Sequence, residues 1–104
     1  MTAPSTVQRV IVAPVVLDLD TRTEFRRQAV RALDVMSAGA GQLVLDMTTT
    51  RSVDSAGLGT LVLIQRRAAA SRIPVRLRGV NEDLRFLLTL TKLEDLFQLE
   101  SIQN

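Results

Sequence analysis

Cysteine and histidine are both absent from this chain of 104 residues. Without thiolate or imidazole there is no Cys/His metal site, no cysteine nucleophile, and no hydrolytic triad with imidazole as its base. The same absence removes any disulfide framework. Aromatic residues are scarce, with Phe25, Phe86 and Phe97 the only three, so single-stranded bases have no stacking platform. Long apolar runs are missing too. The longest, Val10 to Leu17, spans eight residues and is broken by Pro14, against the roughly 18 needed to cross a bilayer. No membrane insertion is expected. The start MTAPSTVQRV lacks the apolar centre of a signal peptide, which with the lack of cysteine makes the cytoplasm the expected location.

Neither sign of charge dominates: thirteen Lys and Arg face eleven Asp and Glu, a net charge of +2. The isoelectric point near 10.4 overstates the basic character, because without histidine little titrates between the carboxylates and the strong bases. The cations are dispersed along the chain from Arg9 onward, adjacent only at Arg26, Arg27 and Arg66, Arg67. The linear sequence therefore shows no basic stripe, and no direct contact with nucleic acid is expected. What is present is ordinary globular material, 46% apolar and 23% charged. That suits a single domain over residues 1–104 with one modest core.

Val7 to Leu17 is rich in β-branched residues and predicts a strand, with Pro14 at an edge or bulge. Thr21-Arg22-Thr23-Glu24 has the form of a capping box, and Phe25, Ala29, Leu33 and Met36 follow at helical spacing, predicting a helix from about Arg22 to Ser37. Gly39 and Gly41 end it, and Gln42 to Met47 suits a buried parallel strand. The polar stretch Thr48 to Asp54 reads as loop. A second helix is expected from Ser55 to about Ser71, with Ser55 as its N-cap and Leu58, Leu61, Val62 and Gln65 on one face. Pro74 cannot continue it, and Val75 to Arg78 alternates as a strand with one wet face or an edge. Asn81 caps a third helix reaching toward Lys92, with Leu84, Leu87, Leu88 and Thr91 on one face, and a last strand starts near Phe97. This order predicts an α/β domain with a four- to five-stranded, mainly parallel (mixed) sheet and three to four helices.

Sites in open α/β folds gather where strands end and helices begin, which here points to Val53-Asp54-Ser55-Ala56-Gly57-Leu58-Gly59. Two glycines in an opening helical turn are costly, about 1 kcal/mol each relative to Ala, and suggest close approach by another backbone or a partner. A hydrolase nucleophile elbow is excluded, because Val53 replaces the required glycine and no histidine activates the hydroxyl. A nucleotide or other small-ligand module is an alternative that lacks a P-loop, its only lysine lying at Lys92. Asp46, Asp34, Glu94, Asp95 and Glu100 read as surface, Glu82 and Asp83 as helix-dipole partners, and Met36 and Met47 as core fillers. No metal site or cofactor is expected.

The run DSAGLG after a short strand, with LRGVNEDLRFLLTLTKLEDLF further on, resembles a STAS domain of the bacterial anti-sigma factor antagonist type over nearly the whole chain. Asp54, Ser55, Gly57 and Leu58 match the family's signature loop, Leu17 and Asp18 its first-loop pair, and Gly79, Val80 and Leu84 its turn into the third helix. Val15 and Val16 replace the family's usual Gly and Glu, and Thr50 and Ser52 make the approach to the signature more polar. The resemblance implies a non-catalytic partner switch. Ser55 would be the phospho-acceptor, and Asp18, Asp20, Thr21, Val53, Asp54, Ala56, Gly57 and Leu58 the partner interface. The implied partner is an anti-sigma factor that is also a serine kinase of the histidine-kinase-like ATPase fold. It is bound by the unphosphorylated protein, which frees a sigma factor, and released on phosphorylation. This chain would act as a monomer or weak dimer. A STAS subunit of a lipid-transport ABC complex, or of a stress-signalling scaffold, would use the same loop without a phosphorylation cycle.

Overall fold

In the computed structural model, which describes residues 7–100, the chain leaves its first strand early. β1 covers Gln8–Val12. Pro14 donates no hydrogen bond, and beyond it the chain steps off the main sheet to form β2, Val16–Leu17. The single strand expected over Val7 to Leu17 is thus two, and Pro14 divides them rather than sitting within a bulge. α1 follows at Arg22–Asp34, shorter than its pattern suggests, with Phe25, Ala29, Ala32 and Leu33 buried. β3, Gln42–Asp46, is central and nearly continuous in its burial. The stretch read as loop contains another short strand, β4, Ser52–Val53.

α2 runs Ser55–Ala70 and buries Gly57, Thr60, Leu61, Ile64 and Ala68. Its inward face is therefore rotated from the expected one: Ile64 is fully buried while Val62 and Gln65 are only half-buried. β5, Val75–Arg78, precedes α3, Glu82–Leu90, where Asn81 Oδ1 accepts from the Leu84 amide at 2.8 Å as the sequence predicts. Leu84 and Leu88 are buried there, and Thr91 lies outside the helix and exposed. Glu94–Leu96 forms one 3-10 turn, and β6 is Gln98–Leu99.

The main sheet has the order β1-β3-β5-β6, with all three pairings parallel. Each crossover moves the chain one strand in the same direction. With right-handed crossovers, α1, α2 and α3 therefore fall on one face of the sheet. Alternation then sends Leu43, Leu45, Val75 and Leu77 into the core beneath the helices, where each is at most 2% exposed. Burial of a residue of this size stabilises by about 1.5–3 kcal/mol. Met47 also fills the core, and Met36 packs against it.

The opposite face carries Val10, Val12 and Val44 near one edge and Arg76 and Arg78 toward the other. β5 is interior rather than an edge, so the wet-face reading of its alternating arginines is the one that holds. Glu100 is not simple surface: its carboxylate meets Arg78 at 3.3 Å and Arg76 at 3.8 Å, all three being only about one-third exposed. β2 and β4 form a separate parallel pair, Val16 opposite Ser52 and Leu17 opposite Val53. None of the helices in the described residues is long and apolar enough to cross a membrane.

Candidate functional site

The β2–β4 pair builds the site. Two segments more than thirty residues apart in sequence are held side by side, with the Arg51 amide donating to the Val15 carbonyl at 2.7 Å and the Asp54 amide to the Leu17 carbonyl at 3.2 Å. Both strands then end at the same level. The turn Asp18–Thr21 leaves one and the helical start Asp54–Leu58 leaves the other, at the carboxyl ends of strands where α/β folds place their sites.

In the first turn Asp18 Oδ1 accepts from the amides of Asp20 (2.9 Å) and Thr21 (3.2 Å). The Thr21 hydroxyl donates to the Val16 carbonyl at 2.7 Å and accepts from the Asp18 amide at 3.0 Å. Thr21 therefore does not cap α1. The expected capping box is not formed, and Glu24 pairs instead with Arg27 at 2.8 Å. Asp18 supplies the helix entry by an Asx turn, since its carboxylate can reach amides two and three residues on. Asp18 and Thr21 are half-buried and bound to their own loop, whereas Asp20 is exposed.

In the second segment the N-cap is Asp54, not Ser55. Asp54 Oδ1 accepts from the Gly57 amide at 2.8 Å, and the Asp54 carbonyl receives the Leu58 amide. Asp and Ser are both strong caps, so a Asp-Ser pair leaves the boundary ambiguous by one residue. Ser55 is consequently the first residue of α2. It is exposed, and its hydroxyl has no hydrogen-bond partner among the described residues. Around it lie the unpaired amides of a helix N-terminus, which carry positive potential.

The glycines separate into two cases. Gly57 is buried, and a Cβ there would collide with the Leu17 carbonyl, whose carbon would lie 2.9 Å away. The close approach inferred from the sequence is made by the protein's own β2. A Cβ on Gly59 would meet nothing within 4 Å. Val53 and Leu58 are half-buried and pack against the core, and Ala56 is half-buried as well. Of the residues implied as phospho-acceptor or partner interface, Asp20, Asp54 and Ser55 are thus the exposed ones.

Thr50 takes a structural part: it is buried, and its hydroxyl donates to the Pro14 carbonyl at 2.8 Å. Asn81 Nδ2 donates to the carbonyls of Thr50 and Arg51, each at 3.2 Å, so the cap of α3 also fixes the approach to β4. The polarity of Thr50 therefore serves the fold rather than the outer surface, while Ser52 is exposed. Val15 and Val16, which stand where the family usually has Gly and Glu, are 50% and 42% exposed, and one further apolar residue escaped the sequence reading: Leu19, 61% exposed. The pattern Leu17-Asp18-Leu19-Asp20 carried the signal, since an apolar residue between two turn acids has no core to enter.

No cluster of three or more metal-ligating side chains occurs among the described residues. Asp46, at the end of β3, is held by the turn that follows it. Hydrogen bonds from the Thr48 hydroxyl and amide hold it below the usual carboxylate range, with Arg78 assisting and partial burial opposing.

Comparison with known proteins agrees with this architecture. A Thermotoga maritima protein (tm1081), provisionally described as an anti-sigma factor antagonist, superposes with a TM-score of 0.75 at 22% identity, covering 94% of this chain and 84% of that one. The anti-sigma factor antagonist SpoIIAA in its unphosphorylated form gives 0.69 at 16% identity, covering 98% of this chain and 86% of its own. At such identities the likeness is one of fold. The family model described as "Mlab, STAS domain" matches residues 5–100, and on that match the chain belongs to the STAS domain family.

Proposed function

We propose that this chain is an anti-sigma factor antagonist that works by partner switching, with Ser55 as the phospho-acceptor. The observation that carries the reading is the state of Ser55: exposed, first in α2, and unengaged by the fold. A phosphate there adds about −1.5 to −2 charges beside free helical amides, which the fold tolerates. The consequence falls on the surface made by Asp54, Asp20 and the exposed Leu19. A partner that buries Leu19 against its own apolar surface must also face Asp54 and Asp20, and a phosphate would add to the negative charge it has to desolvate. The chain supplies acceptor and surface only. ATP and Mg²⁺ would belong to a serine kinase of the histidine-kinase-like ATPase fold that is also the anti-sigma factor. The likeness in fold to two proteins described as anti-sigma factor antagonists supports this reading.

A second reading has its own support in the family description, Mlab: a STAS subunit docked constitutively on the ATPase of a lipid-transport complex. The experiment is purification from the native host with the copurifying ATPase identified and Ser55 checked for phosphate. A kinase that releases the protein when ATP is added supports the switch. A transporter ATPase with Ser55 unmodified and the complex indifferent to ATP overturns it in favour of the second reading.

A further inference from the structure

The dispersal of cations in the sequence does not survive folding. α1 and α2 together carry six exposed arginines, Arg22, Arg26, Arg27, Arg31, Arg66 and Arg67, against two acids, Glu24 and Asp34. These helices are thus more positive than the whole chain, whose net charge is only +2. Between them runs a groove of about 480 Å³ whose walls include Arg26, Arg27, Arg31 and Arg67 and whose apolar lining is Val30 and Leu63. Leu63 is 48% exposed, an apolar side chain that the core does not use.

We propose that this groove is a second docking site, one that takes an acidic amphipathic helix from a partner protein. Arg27 and Arg67 show the mode of contact, since each already holds a carboxylate, from Glu24 at 2.8 Å and Asp34 at 2.7 Å. Arg26 and Arg31 have no carboxylate within ion-pair distance among the described residues. They are the groups left for a partner. A helix bearing apolar residues one turn apart would set them on Val30 and Leu63 while its flanking carboxylates met Arg26 and Arg31, the ordinary form of helix-in-groove recognition.

The occupant follows from what else the groove contains. A nucleic acid would leave the apolar Val30 and Leu63 unused, and no aromatic side chain lines the groove for base stacking. A bilayer surface is flat and cannot reach a floor set between two helices, and the aromatic anchors of interfacial helices are missing here. The site is independent of Ser55, so its failure would leave the partner-switch reading untouched.

The test uses the full chain and a fluorescein-labelled synthetic peptide of about four helical turns, with Leu on one face and Glu on the flanks. A scrambled peptide of identical composition is the control. Micromolar binding by anisotropy is expected, weaker by about tenfold or more for the scrambled peptide, for Arg26→Glu with Arg31→Glu, and for Leu63→Ser. Amide NMR shifts on the unaltered protein should map to α1 and α2, a readout that survives if a variant misfolds. Arg85→Glu, exposed on α3 and outside the groove, should leave the affinity unchanged. Equal binding of the scrambled peptide, indifference to the arginine reversals, shifts centred elsewhere, a loss of binding in Arg85→Glu as large as in the arginine reversals, or tighter binding of phosphatidylglycerol vesicles or a DNA duplex would each overturn the proposal.

Discussion

At the residue scale, Asp54 and Ser55 divide two tasks that one residue could have combined. The Asp54 carboxylate closes the helix, which leaves the serine hydroxyl free. Asp54→Ala should therefore cost about 1 kcal/mol of stability, Asp54→Asn very little, and Ser55→Ala should leave it unchanged or raise it by a few tenths, since the lost hydroxyl holds nothing and Ala is the better helix former. Ser55→Asp should match or slightly exceed the unaltered protein, because its charge sits at the positive end of α2. Urea melts of the four variants check the order. A loss of 1 kcal/mol or more in Ser55→Ala with none in Asp54→Ala would return the cap to Ser55. The two glycines give a second contrast. Gly57→Ala must push the Leu17 carbonyl away and should cost about 2–3 kcal/mol. Gly59→Ala meets open space and should stabilise by about 0.5–1 kcal/mol. Melting temperatures that moved the same way for both would contradict the packing described for α2. Sequence alone singled out both glycines as costly, but it could not tell which one served the fold, because the carbonyl that decides it lies forty residues upstream.

At the element scale, α1, β3, β5 and α3 were legible because each carries its own signal: a helical period, an apolar run, a proline stop, an asparagine cap. The parts that were not legible depend on distant partners. β4 is two residues long and exists only because β2 lies beside it, and no local pattern marks such a pair. The Thr21 capping box fits the local rule, yet the Thr21 hydroxyl finds a better acceptor in the Val16 carbonyl. In α2 nearly every residue from Leu58 to Ile64 is apolar or small, so the inward face is set by packing against the sheet and not by period. Leu61 is fully buried. Leu61→Asp would place an unpaired carboxylate in the core and should cost about 3–5 kcal/mol, enough to unfold a domain of this size. A cooperative melt near that of the unaltered protein would refute it.

The loop after β3 contributes a pH dependence of stability. Because the Asp46 carboxyl titrates lower when folded, with the Thr48 bonds the largest cause, its contribution is present above the unfolded carboxylate value, about 3.9. It is lost as pH falls through the lower folded value. Asp46→Asn should flatten part of the loss of stability between about pH 5 and pH 2. An unchanged urea-midpoint profile would show that the Thr48 bonds contribute nothing.

At the scale of the whole molecule, three parallel crossovers that each step one strand in the same direction gather α1, α2 and α3 over one face of the main sheet. The Asp18–Thr21 turn and the start of α2 meet at the carboxyl end of β2 and β4, while the arginines of α1 and α2 gather on the outer surface of the helix layer. The docking surface proposed at Ser55 draws on two distant segments, both of which the resemblance pointed to by motif. Periodicity alone would have found only one of them. The basic groove was invisible in the sequence, because its arginines are separated by β3, β4 and their loops and become neighbours only when α1 and α2 lie side by side. The central claim is that phosphate on Ser55 decides whether the partner is held. It is tested most directly by intact mass with site localisation on two pools of the protein from its native host, one bound to its partner and one free. The account predicts unmodified Ser55 in the bound pool and one phosphate at Ser55 in the free pool; equal modification of the two pools, or phosphate at some other residue, would contradict it.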